Sequence, residues 1–294
     1  MAAIRVTERS RIDAIMTAQN RAATRLDRAA RVASSGMRVQ KPSDDPAAYA
    51  SKIRRDHTLA MLEEHSKNAT RAANELQVVQ SSLDAAIDIM SRAQAAAVNG
   101  ANATTDGNAR KLLAEDVRTM RSELMSIANT RYGDRYLFGG TRTDTMPFDP
   151  ATGAFAGNDQ VIRVPVLDGV APPANVSGAK TFTTAGGRDL FADLDALAKA
   201  LDANDETAIR AALGALPDGH AQLVKAQVEA GFGAERFQSA LDVLMTTKTA
   251  VVEGLASDIE GDPAAHLTEL TLARTAYEQT IGVTKELLSI SSMR

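Results

Sequence analysis

The 294-residue sequence has no cysteine and no tryptophan. The first absence excludes disulfides, thiol nucleophiles and Cys-ligated metal sites. Aromatic residues make up only 4% of the chain, so its 44% apolar content rests on Ala, Leu and other aliphatics. That mix suits long helices packed side by side better than a bulky globular core. There is no apolar run of about 18 residues or more, so no segment reads as a membrane-spanning helix. A secretory hydrophobic region is missing too, because Arg5, Glu8, Arg9, Arg11 and Asp13 interrupt the start of the chain. If this protein leaves the cell, a route other than the general secretory one must carry it. The net charge of −4 argues against nucleic acid and anionic membrane as partners.

Constellations that carry chemistry are also lacking. His57, His65, His220 and His266 show no helical pairing with one another and no metal-ligand spacing. Nothing resembles a dinucleotide fingerprint, a phosphate-binding loop or a nucleophile elbow. Asp44-Asp45 lies in a loop without further convergent ligands, and reads as a cap-and-turn device. The segment from Asp202 to Glu206 starts like a calcium loop but lacks the central Gly and the final Glu, so it reads as a helix–helix turn. No catalytic, cofactor-binding or metal site is therefore assigned, and no enzyme is expected.

What is present is helical patterning at both ends. Ile12, Ile15, Ala22, Leu26, Ala29 and Ala33 follow a 3-4 spacing, as do Leu270, Ala273, Tyr277, Ile281, Thr284 and Leu288. Such stripes need a partner in water. Charge favours their choosing each other. In residues 1–40 eight Arg against Glu8, Asp13 and Asp27 leave +5, and in residues 258–294 six carboxylates against Arg274, Lys285 and Arg294 leave −3.

The first helix is expected over Thr7–Ala33, stopped by Ser34-Ser35-Gly36 with Gly36 just beyond its end. Pro42, Ser43, Asp44, Asp45 and Pro46 break the helical pattern. Asp45 then caps a second helix, with Pro46 at its first position, that runs to Asn99. A third helix is expected over Asn108–Gly133. From Tyr136 to Ala185 the pattern changes to short runs between Gly and Pro, notably 136–138, 161–166 and 180–183, which read as strands. Five of the seven Phe (138, 148, 155, 182 and 191) fall in or beside this stretch, pointing to a small core of its own. Helix resumes at Asp189, with short helices to Leu201 and over Asp205–Leu213. A long one opens at Pro217 and a terminal one at Pro263 or Ala264. The expected fold is mainly α with a small β-rich insertion: a long antiparallel coiled-coil-like bundle of the N- and C-terminal segments, plus a β head.

The run Ala33-Ser-Ser-Gly-Met-Arg-Val-Gln-Lys-Pro-Ser-Asp-Asp-Pro-Ala-Ala48 resembles the bacterial flagellin superfamily, which carries a similar serine-serine-glycine turn and aspartate pair. The prolines flanking Ser43-Asp44-Asp45 are more similar to its hook–filament junction branch. Tyr136–Phe148 looks like that branch's passage from helix to head, and Asn175–Gly178 before the helix at Asp189 like its return. The resemblance implies a structural, non-enzymatic part of the flagellum that leaves the cell unfolded through the flagellar type III export apparatus. It implies the first hook-associated protein and flagellin as neighbours, self-assembly in a helical layer, and an export chaperone. By position it implies polymerisation segments at 1–44 and 263–294, helical leg parts at 45–135 and 189–262, and a head at 136–188. Assembly residues would be Ile12, Ile15, Leu26, Leu270, Tyr277, Ile281, Leu287 and Leu288, with Ser35, Gly36, Pro42, Ser43, Asp44, Asp45 and Pro46 as the family turn. Both ends are expected to be poorly ordered until neighbours cover them. The alternative is a flagellin filament subunit, against which stand those prolines and the C-terminal Leu287–Arg294.

Overall fold

The computed structural model of this chain describes residues 8–167 and 169–292, without the side chains of 8, 9, 11 and 287–292. In chain order its elements are α1 (Glu8–Ser35), α2 (Pro46–Ala101), α3 (Gly107–Ala128), β1 (Arg131–Tyr132), β2 (Arg135–Tyr136), α4 (Gly178–Phe182), α5 (Leu190–Asp202), α6 (Glu206–Ile259) and α7 (Pro263–Ser292). They divide into two compact units, one of Met1–Met61 with Thr247–Arg294 and one of Leu62–Thr246.

The Leu62–Thr246 unit is built on one apolar core. Ala69, Leu76, Leu83, Met90 and Ala97 of α2 are fully buried, as their spacing in the sequence anticipates. They meet Val117, Met120 and Leu124 of α3, Leu190, Leu194, Leu197 and Leu201 of α5, and Leu223, Ala230 and Phe237 of α6 in a single cluster. Local signals set the helix ends. Asp106 caps α3 by accepting from the Ala109 N–H at 2.8 Å, and Asp189 caps α5 by accepting from the Phe191 and Ala192 N–H groups. Asn204 takes a left-handed φ of 54° in the turn to α6. Arg110, 4% exposed, ties that turn down: it donates to Gly100 and Asn102 carbonyls, to Asn204 Oδ1 and to Glu206 Oε1. Four acceptors around one guanidinium satisfy a charge that would otherwise be costly to bury.

Several expectations are corrected. The helices expected over 205–213 and from 217 are one helix, α6, with Pro217 inside it. Proline costs the helix one backbone bond, but Ile209 and Leu216 before it and Leu223 after it are all fully buried, so packing holds both sides. Gly233 does not break α6 either; a Cβ there would lie 2.9 Å from Leu76 Cδ1, so glycine is what lets α2 approach. Helix α3 stops at Ala128 rather than near 133, and a two-stranded antiparallel hairpin follows, with Tyr132 opposite Arg135.

The stretch from 136 to 185 contains far less strand than its pattern suggests. Residues 180–183, expected as a strand, lie in and just after α4, because Ser177 caps it by accepting from the Lys180 N–H at 3.2 Å. Residues 161–166 pair with 170–174 only through isolated bridges, with Val164 donating to Pro172 and Ala174 to Ile162. Pro165, Pro172 and Pro173 have no N–H to give, which prevents a continuous ladder. The five phenylalanines do cluster: Phe138, Phe148, Phe155, Phe182 and Phe191 pack with ring centroids 5.0 to 6.1 Å apart, but they join the main apolar cluster rather than forming a core of their own. Asn129, at the end of α3, pins it by exchanging two 3.0 Å hydrogen bonds with the Phe148 backbone.

Phe148→Ala is expected to destabilise this unit by about 3–5 kcal/mol, read as a lower urea midpoint at unchanged slope. An unchanged midpoint would mean that the aromatic cluster is not part of its cooperative core.

Candidate functional site

The unit of Met1–Met61 with Thr247–Arg294 contains most of the residues singled out from the sequence. Its centre is the turn after α1. Gly36 takes φ of 71° and donates to Val32 at 2.9 Å, ending the helix by a left-handed glycine as expected. Ser35 Oγ accepts from the Met37 N–H at 3.1 Å and from the Gln40 side-chain amide at 2.7 Å, closing the turn on itself.

The same turn docks on the end of α6. Arg38 and Val39 donate their N–H groups to the Ile259 carbonyl at 2.7 and 3.2 Å. The last carbonyls of a helix lack partners within it, and the turn supplies them here. Val39 is fully buried and Ile259 is 4% exposed, so an apolar contact accompanies the hydrogen bonds. The Arg38 guanidinium reaches the Asp258 carbonyl at 3.0 Å and Asp45 Oδ2 at 3.1 Å.

Each aspartate of the turn has a distinct task. Asp44 Oδ2 accepts from the Gln40 and Lys41 N–H groups at 3.3 and 3.2 Å. Burial works against its charge, but those two hydrogen bonds and the charges of Arg28 and Lys41 outweigh it, so its pKa falls below the ordinary value. Asp45 Oδ1 caps α2, accepting from Ala48 at 3.0 Å and Ala47 at 3.2 Å. The Ala48 N–H and Arg38 lower its pKa. Asp258, near the end of α6, accepts from Ser51 Oγ at 2.6 Å and Arg55 Nε at 2.9 Å, and these partners lower its pKa too. The turn is thus a set of charge-assisted bonds joining the start of α2 to the end of α6.

Because α1 ends and α7 begins at this junction, the two helices run back along each other antiparallel. They are packed together, and Ala29 and Ala273 are buried between them. Arg25 and Glu269 form a two-pronged ion pair, 2.8 Å from Nε to Oε1 and 3.1 Å from Nη2 to Oε2. The bond to Arg25 lowers the Glu269 pKa. This is the opposite-charge pairing that the sequence led us to expect.

Of the expected assembly residues, Ile15, Leu26, Leu270, Tyr277 and Ile281 are half-buried. Ile12 is 45% exposed. Leu287 and Leu288 lie outside the residues whose side chains are described. Over the described residues both ends are helical; the extreme ends, on which the expectation of poor order falls, lie outside them. Reasoning from sequence missed the roles of Arg38, Ser51, Arg55 and Asp258. Arg38, Arg55 and Asp258 signalled only as charges at scattered positions and Ser51 not at all, which does not reveal partners some 200 residues apart. Among the described residues, no helix is long and apolar enough to cross a membrane, and no His, Asp and Glu residues are grouped to hold a metal.

Comparison with known proteins agrees with this geometry. Residues 11–143 match the family described as bacterial flagellin N-terminal helical region. Flagellar hook-associated protein 3 of Salmonella typhimurium is 30% identical over 152 residues, covering 51% of this chain and 48% of the relative. Its Escherichia coli namesake is 29% identical over 198 residues, covering 60% and 62%. These alignments thus span about half to three-fifths of each relative. A solved Vibrio parahaemolyticus chain, described as a flagellar hook-associated protein, superposes with a TM-score of 0.69 at 22% identity. It covers 74% of this chain and 100% of its own, a likeness of fold.

Two outcomes are expected at this site. Acid should weaken it. Asp44, Asp45 and Asp258 have pKa values below the ordinary 3.8, so their contribution is present above that value and is lost as pH falls through the lowered ones. Double substitution Asp45→Asn and Asp258→Asn should flatten the acid limb of a stability–pH curve, and an unaltered limb would contradict this. Gly36→Ala forces a left-handed φ on a residue with a Cβ and should cost about 1–2 kcal/mol, seen as a lower thermal midpoint for the loss of helix.

Proposed function

Because this chain resembles the flagellin superfamily and is similar to flagellar hook-associated protein 3, we propose that it is an axial adaptor of the bacterial flagellum. It joins the hook, through the first hook-associated protein, to the flagellin filament. Its role is structural rather than catalytic. The observation that carries this reading is the antiparallel α1–α7 pair locked by the turn at 34–46, a device built from both chain ends.

In this reading 1–44 and 263–294 are the polymerisation segments and 136–188 is the head. Residues 45–135 and 189–262 form the leg, a coiled-coil-like bundle. Assembly proceeds by covering what one copy leaves half-exposed. Each large apolar side chain that becomes fully buried contributes about 1.5–3 kcal/mol, so a few per helix offset the cost of fixing the ends. The chain is exported through the flagellar type III apparatus and works outside the cell, with a chaperone holding it beforehand. The absence of cysteine suits a protein that refolds at the far end of such a route without an oxidising step.

Replacing Leu270 and Ile281 by Asp should break the α1–α7 seam and leave the Leu62–Thr246 unit folded. In cells lacking their own junction protein, the variant should fail to restore filaments where the unaltered chain succeeds. Normal restoration by the double variant would overturn the proposed use of these helices. Long filaments formed by the purified chain alone would instead make it a flagellin.

A further inference from the structure

A groove of the Leu62–Thr246 unit lies between α2 and the β1–β2 hairpin and holds about 660 Å³. That is within the roughly 300–1,000 Å³ usual for small-ligand sites. Its α2 wall is polar throughout. Ser66, Thr70 and Asn74 form one row at four-residue spacing, so hydroxyl and amide groups recur about every 6 Å along the helix. Beside it runs a charged row whose ends are already taken: Lys67 pairs with Glu63 at 3.1 Å, and Glu75 with Arg135 at 3.5 Å. Arg71 between them has no hydrogen bond or ion pair among the described residues. The other wall is the hairpin, where Tyr132 stands opposite Arg135. Arg131 covers the ring of Tyr136, 5.1 Å from its centre. Tyr132 is 37% exposed, and its side chain meets no ring or hydrogen-bond partner among the described residues. Asp134, at the hairpin turn, adds an exposed carboxylate to the same groove.

The groove therefore gathers an uncommitted guanidinium, an open aromatic face and a row of hydroxyl and amide groups. Each ligand class asks for something different. A polyanion such as nucleic acid needs several free cations, and here Arg71 is balanced by Asp134. The apolar side chains of a peptide would find only the Tyr132 ring to cover them. A sugar uses every part. The C–H face of its ring stacks on an aromatic ring, and its hydroxyls bond to hydroxyl, amide and carboxylate groups. A carboxylate on the ring takes a two-pronged bond from a guanidinium. We propose that this groove binds an acidic saccharide, a uronate unit whose carboxylate meets Arg71 and whose ring lies on Tyr132. Thr70, Asn74 and Asp134 receive its hydroxyls. The site stands apart from the junction reading, which is carried by the other unit.

The test uses the full chain and three probes: trigalacturonate, its methyl ester, and acetate. The ester keeps the sugar and loses the charge, and acetate keeps the charge and loses the sugar. Binding is read by isothermal titration calorimetry at low salt, where an exposed ion pair is least screened. Trigalacturonate should bind, and the other two should each bind roughly tenfold or more weakly. Arg71→Gln should weaken trigalacturonate roughly tenfold. Arg71→Lys should recover part of that loss, since it keeps the charge without the fork. Tyr132→Ala should weaken binding roughly fivefold. Both side chains are exposed, so the urea midpoint of each variant should match that of the unaltered chain. Equal binding of the ester would overturn the role of the carboxylate, and equal binding of acetate the role of the sugar. No binding of trigalacturonate, or binding that neither substitution at Arg71 nor Tyr132→Ala alters, would overturn the site. Filament restoration in cells reports on the junction reading separately, and neither Arg71→Gln nor Tyr132→Ala should change it.

Discussion

The arrangement of both chain ends depends on the carbonyl of Ile259. It belongs to the last turn of a 54-residue helix, where no further helical N–H follows to satisfy it. The turn after α1 answers with two backbone donors, Arg38 and Val39, and covers the contact with a buried valine. The turn is thereby held against the end of α6, next to the Gly36 stop of α1 and the Asp45 cap of α2. The ionic bonds around it, Arg38 to Asp45 and Ser51 and Arg55 to Asp258, are partly exposed. Such bonds add direction more than strength. Directional bonds suit a junction that has to hold two helices in one alignment while much of their surface stays uncovered.

That alignment explains why the ends of the chain look unfinished. A helix pair sealed by Ala29 and Ala273 places small residues at its closest approach, which brings the backbones together but buries little apolar area. Large side chains then sit half-covered or open along both helices. In an isolated domain this would be a liability. Under the proposed junction role, it is the surface that assembly would consume. The Leu62–Thr246 unit shows the opposite economy. Its core is fully enclosed, and its one deeply buried arginine, Arg110, has four acceptors.

Much of this was legible in the chain because it rests on local rules. Gly36, Asp45 with Pro46, and Asp189 mark helix boundaries by capping chemistry that acts over three or four residues. The buried stripe of α2 follows from period alone. The clustering of five phenylalanines followed from their crowding in one stretch. Where reading failed, a distant contact had overruled a local preference. Pro217 read as the start of a new helix, but buried neighbours on both sides carry α6 through it. The β-branched run at 161–166 read as a strand, but its partner segment is short of N–H donors. Thr181 and Thr183 favour strands, yet Ser177 caps a helix that contains the first and ends just before the second.

The sequence by itself determined the helices, their caps and the opposite charge of the two ends, because each follows from neighbours along the chain. It also carried the turn that resembles the flagellin superfamily. Only the tertiary structure decided that this turn is the dock for the end of α6, since Arg38 and Asp258 are 220 residues apart and no period links them. Only the tertiary structure decided how far each apolar side chain of the terminal helices is covered. A helical period is the same whether its residues are buried or exposed, and the difference lies in where the dock sets the angle of α1 against α7.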